Sequence, residues 1–316
     1  MQALALNDFD TAPALQELPV PEVGPGQVRI RVEAAGLNKV DTAISAGMLK
    51  GMAEYQFPVV LGRDGAGIVD DVGEGVEGVA AGDDVLGHVL LGATLRYGTV
   101  AEYALLSADA VVGKPAGLDF TAAAALPLAG TAALGTVDAV GPGPGATLLI
   151  AGASGGVGSY AIQLAAARGA TVIATGLPDD GDRLRTLGAT TVVDYRQDVP
   201  AQIRAEYSDG VDGLIDLVSY DADSLGALAT VVRDGGRVAS TLNAVDSDAL
   251  AARGLTGTNV MAMPGRESLA TLLDEIERGS LRVDVEATWP LEQAAEGLET
   301  LANGHARGKF VVRIDA

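Results

Sequence analysis

The chain has no cysteine and only two histidines, His88 and His305. Without cysteine there can be no disulfide, thiol nucleophile, iron–sulfur cluster or cysteine-ligated zinc. With two histidines and no HExxH-like spacing, a metal centre would have to rest mainly on carboxylates. Basic residues are also scarce. Twenty-one lysines and arginines stand against 42 aspartates and glutamates, for a net charge of −21. Such a surface repels phosphate backbones and anionic membranes, which argues against nucleic-acid and membrane partners. The charge is spread along the chain as a solvated acidic shell. No apolar run is long enough to span a bilayer. The start, Met1-Gln-Ala-Leu-Ala-Leu6, lacks the basic region of a signal peptide, so a soluble, cytoplasmic protein is expected.

What the chain does have is a glycine-rich turn between a strand and a helix. In Ala146-Thr-Leu-Leu-Ile-Ala-Gly-Ala-Ser-Gly-Gly-Val-Gly158, Leu148, Leu149 and Ile150 read as a buried strand. Ala153-x-Gly155-x-x-Gly158 reads as the turn. A helix follows to Gly169, and a second strand follows at Thr171-Val-Ile-Ala174. Strand, glycine turn, helix and strand make the unit that binds a dinucleotide pyrophosphate. Small residues let the backbone approach the phosphates, and the free N–H groups of the helix start complement their charge. Ser154, Gly155, Gly156 and Val157 are therefore the expected pyrophosphate contacts. The same glycines would also pack helix on strand in a doubly wound sheet that binds nothing.

The rest of the chain has two textures. Residues 1–118 carry short strand-like runs between turn signals, with Val28, Ile30 and Val32 sharing one face and a helix starting near Asn38 or Asp41; this reads as a compact, mostly β domain. From Asp119 helices and strands alternate through about residue 265, the pattern of an α/β parallel sheet covered on both faces. Strands are expected at 191–194, 211–218, 236–240 and 259–263. Residues 266–316 add helices at 268–277 and 291–301 and strands near 283–287 and 309–314. Ser240 and Thr241 fall at a strand's C-terminal end, where open sheets bind ligands.

Nine stretches in order resemble the zeta-crystallin-like quinone oxidoreductases of the medium-chain dehydrogenase/reductase superfamily. They are Ala35-Gly-Leu-Asn-Lys-Val-Asp41, Pro58-Val-Val-Leu-Gly-Arg-Asp-Gly-Ala-Gly67, Val72-Gly-Glu-Gly-Val76, Gly82-Asp-Asp-Val85, Ala101-Glu-Tyr103, Ala124-Ala-Leu-Pro-Leu-Ala-Gly130, Gly152-Ala-Ser-Gly-Gly-Val-Gly158, Leu187-Gly-Ala189 and Gly304-His-Ala-Arg-Gly-Lys309. The resemblance implies a GroES-like β domain, a Rossmann domain, and a C-terminal segment that returns to the first domain, with the cofactor in the cleft between domains and a homodimer as the assembly. It implies NADPH-dependent, zinc-independent reduction of a quinone or related α,β-unsaturated carbonyl. An enoyl or alkenal reductase, or a non-catalytic NADPH-binding store or redox sensor, are the alternatives. Zinc members of the superfamily show Gly-His-Glu where this chain has Gly62-Arg63-Asp64.

The resemblance also assigns roles. Asn38 matches the asparagine that reaches nicotinamide and substrate; a plain helix N-cap is the other reading of that residue. Ala43 stands where the family often has a tyrosine near the substrate, and Tyr55 could fill the gap. Arg63 is counted with the substrate side. Thr131 or Ala132, Met261, and Arg307 with Lys309 match positions near the cofactor, with core packing or surface charge as their ordinary alternatives. Thr175-Gly176 occupies the place of the acidic residue that binds an NAD ribose, so a 2′-phosphate would fit there. Tyr195 matches a tyrosine of the NADPH-specific members. Their lysine falls near Asp180, and Arg183, Arg185 and Arg196 are the cations able to replace it. His88 and His305 have no recognisable partner and are expected to be structural or exposed.

Overall fold

A computed structural model describes residues 1–304 and 306–314. His305 therefore lies outside the described residues. The chain divides into two compact units, Met1–Leu128 with Met263–Leu273 and Val283–Ala316, and Ala129–Ala262 with Asp274–Arg282. No helix among the described residues is long and apolar enough to cross a membrane.

The first unit is built on a seven-stranded sheet. Val111–Gly113, Asp84–His88, Asp64–Val72, Gln27–Leu37, Lys309–Arg313 and Val285–Pro290 follow one another in space, and Tyr103–Ser107 also pairs with Gln27–Leu37. The last two strands of that row run parallel and the others pair antiparallel. Val28, Ile30 and Val32 alternate into the core as their spacing implies. A smaller antiparallel sheet joins Ala14–Glu17, Gln2–Leu6 and Val59–Val60. The helix Phe120–Ala125 belongs with this unit although it begins at the expected change of texture. It lies against Gln27–Leu37, where a Cβ on Gly36 would stand 2.2 Å from the Ala124 carbonyl oxygen. Only glycine allows so close an approach.

The second unit holds six parallel strands. Numbered within the unit their order is 3-2-1-4-5-6: Thr191–Asp194, Thr171–Gly176, Thr147–Ala151, Val211–Asp216, Val232–Ser240 and Thr256–Asn259. Leu148, Leu149, Ile150, Val172, Ile173, Leu214 and Ile215 are buried at the centre. The order reverses between Thr147–Ala151 and Val211–Asp216, and the carboxyl ends there form the switch point where such sheets bind ligands. Three strands differ from expectation: those expected at 211–218 and 236–240 cover Val211–Asp216 and Val232–Ser240, and the edge strand is displaced. The edge strand covers Thr256–Asn259 rather than 259–263, so Met261 and Met263 lie beyond it and are exposed.

Candidate functional site

In the second unit the turn after Thr147–Ala151 is shaped by three constraints. Gly152 takes φ +80°, a left-handed conformation, and its N–H donates to Thr175 Oγ1 at 3.0 Å. At Gly158 a Cβ would stand 2.3 Å from the Gly152 carbonyl oxygen and 2.5 Å from Ala153 Cα, so helix and strand pack backbone to backbone. Gly155 caps the helix Gly156–Ala167 in extended conformation with no side-chain capping bond. A Cβ at Gly155 would meet nothing closer than 3.6 Å. The helix thus starts with amides that no side chain caps, a Cβ at the cap position would make only an ordinary van der Waals contact, and Ser154 to Val157 remain partly accessible between buried Ala153 and Gly158. That is the shape and charge a dinucleotide pyrophosphate requires.

The neighbouring strand ends carry the residues expected on the adenosine side. Thr171–Gly176 closes without a carboxylate. Ser154 Oγ would lie 3.5 Å from a Cβ at Gly176, so serine and glycine share one corner. Arg183 Nη2 donates to the Ser154 carbonyl at 3.0 Å, and its Nε and Nη2 pair with Asp180 at 2.7 and 2.9 Å. Gly176 is in register with Asp194, so Tyr195 and Arg196 emerge beside it. Tyr195 is exposed, and Arg196 pairs with Asp194 at 2.7 Å. The hydrogen bond from Arg196 holds the Asp194 carboxyl at about 2, well below the usual range. Arg183, Tyr195 and Arg196 are thus brought to one corner, while Asp180 is buried in a pair with Arg183.

Other residues assigned to the cofactor in this unit are less open. Thr175 is buried and its hydroxyl is taken by Gly152. Ser240 is fully buried, and its Oγ accepts from Leu242 N–H at 3.1 Å. Thr241 is half-buried beside it. Thr131 and Ala132 are buried on the helix Pro127–Val140. Met261 is 84% exposed, which removes the core-methionine reading.

In the first unit the sheet gathers a polar row that the sequence shows only in pieces. Asp64 is in register with His88 on one side and Gly36 on the other, and Leu37 is in register with Phe310. His88, Asp64, Asn38 and Lys309 therefore stand at the same end of four adjacent strands. Lys309 Nζ donates to Asn38 Oδ1 at 2.5 Å and to the Leu37 carbonyl at 2.8 Å. Asn38 Nδ2 donates to Asp64 Oδ2 at 2.8 Å. Asp64 Oδ1 is 2.6 Å from His88 Nδ1, and the Leu128 N–H donates to both oxygens at 3.2 Å. With Asp64 as acceptor, His88 Nδ1 carries the proton. All four side chains are at least nine-tenths buried.

Asn38 is also the N-cap of the helix Lys39–Ser45, and its N–H donates to Asp41 Oδ2 at 2.8 Å. Asn38 thus takes the N-cap position that its sequence context allows. Asp41 is fully buried with Oδ1 unpartnered, and burial raises its carboxyl to about 6 against the pull of Arg63. Burial lowers Lys309, opposed by Asp64 and Asp41. Burial likewise lowers Arg63, opposed by the same two carboxylates.

Several expectations change here. Arg63 is not a substrate contact. It is 1% exposed and its Nη2 donates to the Val60 and Tyr97 carbonyls at 3.0 and 2.7 Å. Its charge balances Asp41 and Asp64 inside the unit. Lys309 is not a surface charge, because its strand lies inside the sheet. His88 is buried and does have a partner, Asp64. Arg307 is half-buried and its N–H donates to Glu286. Tyr55 reaches the helix that carries Ala43: its hydroxyl donates to the Ile44 carbonyl at 3.2 Å, and its ring lies 4.8 Å from that of Phe9. Asp64, Asp41 and His88 were missed as a group. The one available signal was the segment Gly62-Arg63-Asp64, which differs from the zinc members at the position of their ligands.

No group of three or more His, Cys, Asp or Glu among the described residues could hold a metal ion. The donor set explains this. Asp64 and His88 face each other, Asp64 already accepts two N–H groups besides, and the Arg63 cation is close enough to act on the same carboxylate. These residues do not fit zinc.

Comparison with known proteins agrees with both halves. The family described as alcohol dehydrogenase GroES-like domain matches residues 24–116, and the one described as zinc-binding dehydrogenase matches 187–312. The chloroplast envelope quinone oxidoreductase homolog of Arabidopsis thaliana is 29% identical over 99% of this chain and 98% of its own. The chloroplastic NADPH-dependent alkenal/one oxidoreductase of the same plant is 31% identical over 99% of this chain and 79% of its own. The solved quinone oxidoreductase of Coxiella burnetii superposes with a TM-score of 0.89 at 29% identity, covering 100% of this chain and 99% of that one.

Proposed function

Since this chain belongs to the quinone oxidoreductases of the medium-chain dehydrogenase/reductase superfamily, we propose that it reduces quinones or α,β-unsaturated carbonyls with NADPH and without zinc. The observation that carries this reading is the helix start at Gly155, with no side-chain cap, partly accessible over Ser154 to Val157 and built on a backbone-to-backbone contact at Gly158. Relatives named as quinone and alkenal/one oxidoreductases support the substrate class.

The cradle residues Ser154 to Val157 would hold the pyrophosphate through main-chain N–H groups. Ser154, Arg183, Tyr195 and Arg196 surround the corner where a 2′-phosphate would meet cations instead of an acidic residue. NADPH held there would supply hydride-donor chemistry for an electrophilic acceptor. The protein's part is orientation and exclusion of water. Asn38 is the orienting group, an amide fixed by Lys309 and Asp64 rather than a proton donor in its own right. The proton that completes the reduction comes from water, because quinones and enones accept hydride without a Lewis acid.

The test is NADPH oxidation followed at 340 nm against a panel of quinones and enones, with NADH in parallel. Turnover with NADPH, several-fold weaker with NADH, is expected. Tight NADPH binding with no turnover on any acceptor would overturn the enzymatic reading in favour of a store or sensor. The exposed edge strand Thr256–Asn259 supports a homodimer joined along that edge. Light scattering that gives a monomer mass would refute it.

A further inference from the structure

The proposed chemistry uses Asp64 only as a contact of Asn38 and leaves His88 without a role, yet both are buried, and His88 is joined to Asn38 through Asp64. We propose that Asp64, locked by His88, is a positioning residue that sets the direction of the Asn38 amide. This rests on the reading of Asn38 as the orienting group.

Both ends of that amide are committed. Oδ1 accepts from the Lys309 ammonium at 2.5 Å and Nδ2 donates to Asp64 at 2.8 Å. A flipped amide would place its NH₂ against an ammonium and its oxygen against a carboxylate, two like-polarity contacts in a buried site. Only one orientation survives. Nδ2 has two hydrogens. One goes to Asp64, and the other has only the Gly36 carbonyl at 3.5 Å, long for a hydrogen bond. That second N–H is the donor left for a carbonyl oxygen. Lys309 on the amide oxygen polarises it further, because linked hydrogen bonds strengthen one another.

The carboxylate in turn needs holding. Asp64 is anchored by Oδ1 on His88 Nδ1 and by the Leu128 N–H, which leaves Oδ2 facing Asn38. His88 is also the cross-strand partner of Asp64, so the sheet itself sets their approach. The row transmits geometry from a histidine that touches no reacting atom to the amide that does.

The experiment compares wild type with His88→Leu, His88→Asn and Asp64→Asn. An asparagine amide can donate to Asp64 roughly where Nδ1 did, whereas leucine fills space and donates nothing. For a group displaced from its productive geometry, losses of about ten- to a hundred-fold in kcat are expected. His88→Leu and Asp64→Asn should show them with KM for NADPH within about two-fold of wild type, since the cradle is untouched. His88→Asn should recover most of the loss. Unchanged kcat in His88→Leu, equal loss in His88→Asn and His88→Leu, or a loss confined to KM for NADPH would each overturn the proposal. A readout without turnover keeps it separate from the enzymatic reading. The Asn38 side-chain amide protons should exchange slowly in wild type and His88→Asn and rapidly in the other two variants by nuclear magnetic resonance. Wild type without turnover but with that exchange pattern would sink the proposed activity alone. Equal protection in all four proteins would sink the positioning role. Should Asp64→Asn fail to fold, the two His88 variants decide the matter.

Discussion

Arg183 reaches back 29 positions to donate from Nη2 to the Ser154 carbonyl at 3.0 Å, while Asp180 holds the rest of its guanidinium. The arginine therefore braces the cradle as well as lending charge beside it. Arg183→Met should weaken NADH by about ten-fold, the scale of a lost hydrogen bond to a charged group, and NADPH by more, because the 2′-phosphate also loses a nearby cation. Arg196→Ala, which touches Asp194 and not the cradle, should weaken NADPH alone. Fluorescence titration of both cofactors separates the two. A loss confined to NADPH in Arg183→Met would mean that its contact with Ser154 contributes nothing to binding.

Gly155 and Gly158 lie three residues apart and should fail in opposite ways. Gly155 has N-cap backbone angles and a Cβ there would clash with nothing, so Gly155→Asp should cap the helix start and keep or raise the melting temperature. The same carboxylate fills the phosphate site with negative charge, and NADPH affinity should fall by more than about a hundred-fold, roughly 3 kcal/mol. Gly158→Ala should instead cost stability, by about 1–3 kcal/mol, because its Cβ has backbone on one side and no room to move. Calorimetry with and without NADPH distinguishes a lost ligand from a lost fold.

Burial raises Asp41 from an ordinary 3.8 to about 6. The folded chain then binds a proton more tightly there than the unfolded chain does. The contribution of Asp41 to stability is greatest below about pH 4 and declines as pH rises toward 6, by about 3 kcal/mol in all. Asp41→Asn removes the titration. Its stability relative to wild type should improve by about that amount between pH 4 and pH 7. Urea unfolding across that range is the measurement, and a flat difference would refute the assignment.

Arg63 is a fully buried cation among carboxylates, with Nε unpartnered and Nη2 on two main-chain carbonyls. Arg63→Met keeps most of its volume but leaves Lys309 as the buried cation that acts on Asp41 and Asp64. A loss of about 3–5 kcal/mol is expected, the cost of stranding buried charge. Activity that falls with stability intact would instead return Arg63 to the substrate side.

Much of this was legible in residue order. The glycine spacing after Thr147–Ala151 depends on contacts within a dozen residues, and local geometry decides which of them can carry a side chain. The missing acid at Thr175-Gly176 could be read in the same way. The polar row could not. Asn38 and Lys309 are 271 positions apart, and a lysine preceded by glycine and followed by Phe-Val-Val looks the same whether its strand is central or at an edge. His88 has no partner within its own stretch of sequence, because its partner sits one strand over and 24 residues earlier.

By itself, then, the order of residues determined the parallel sheet, the glycine turn proposed to hold a pyrophosphate and the absence of cysteine ligands, because each depends on short spacing or on composition. Tertiary structure alone decided which ionisable groups are buried and whom they meet. Strand register sets that, and register comes from packing across the sheet, where residues distant along the chain become nearest neighbours.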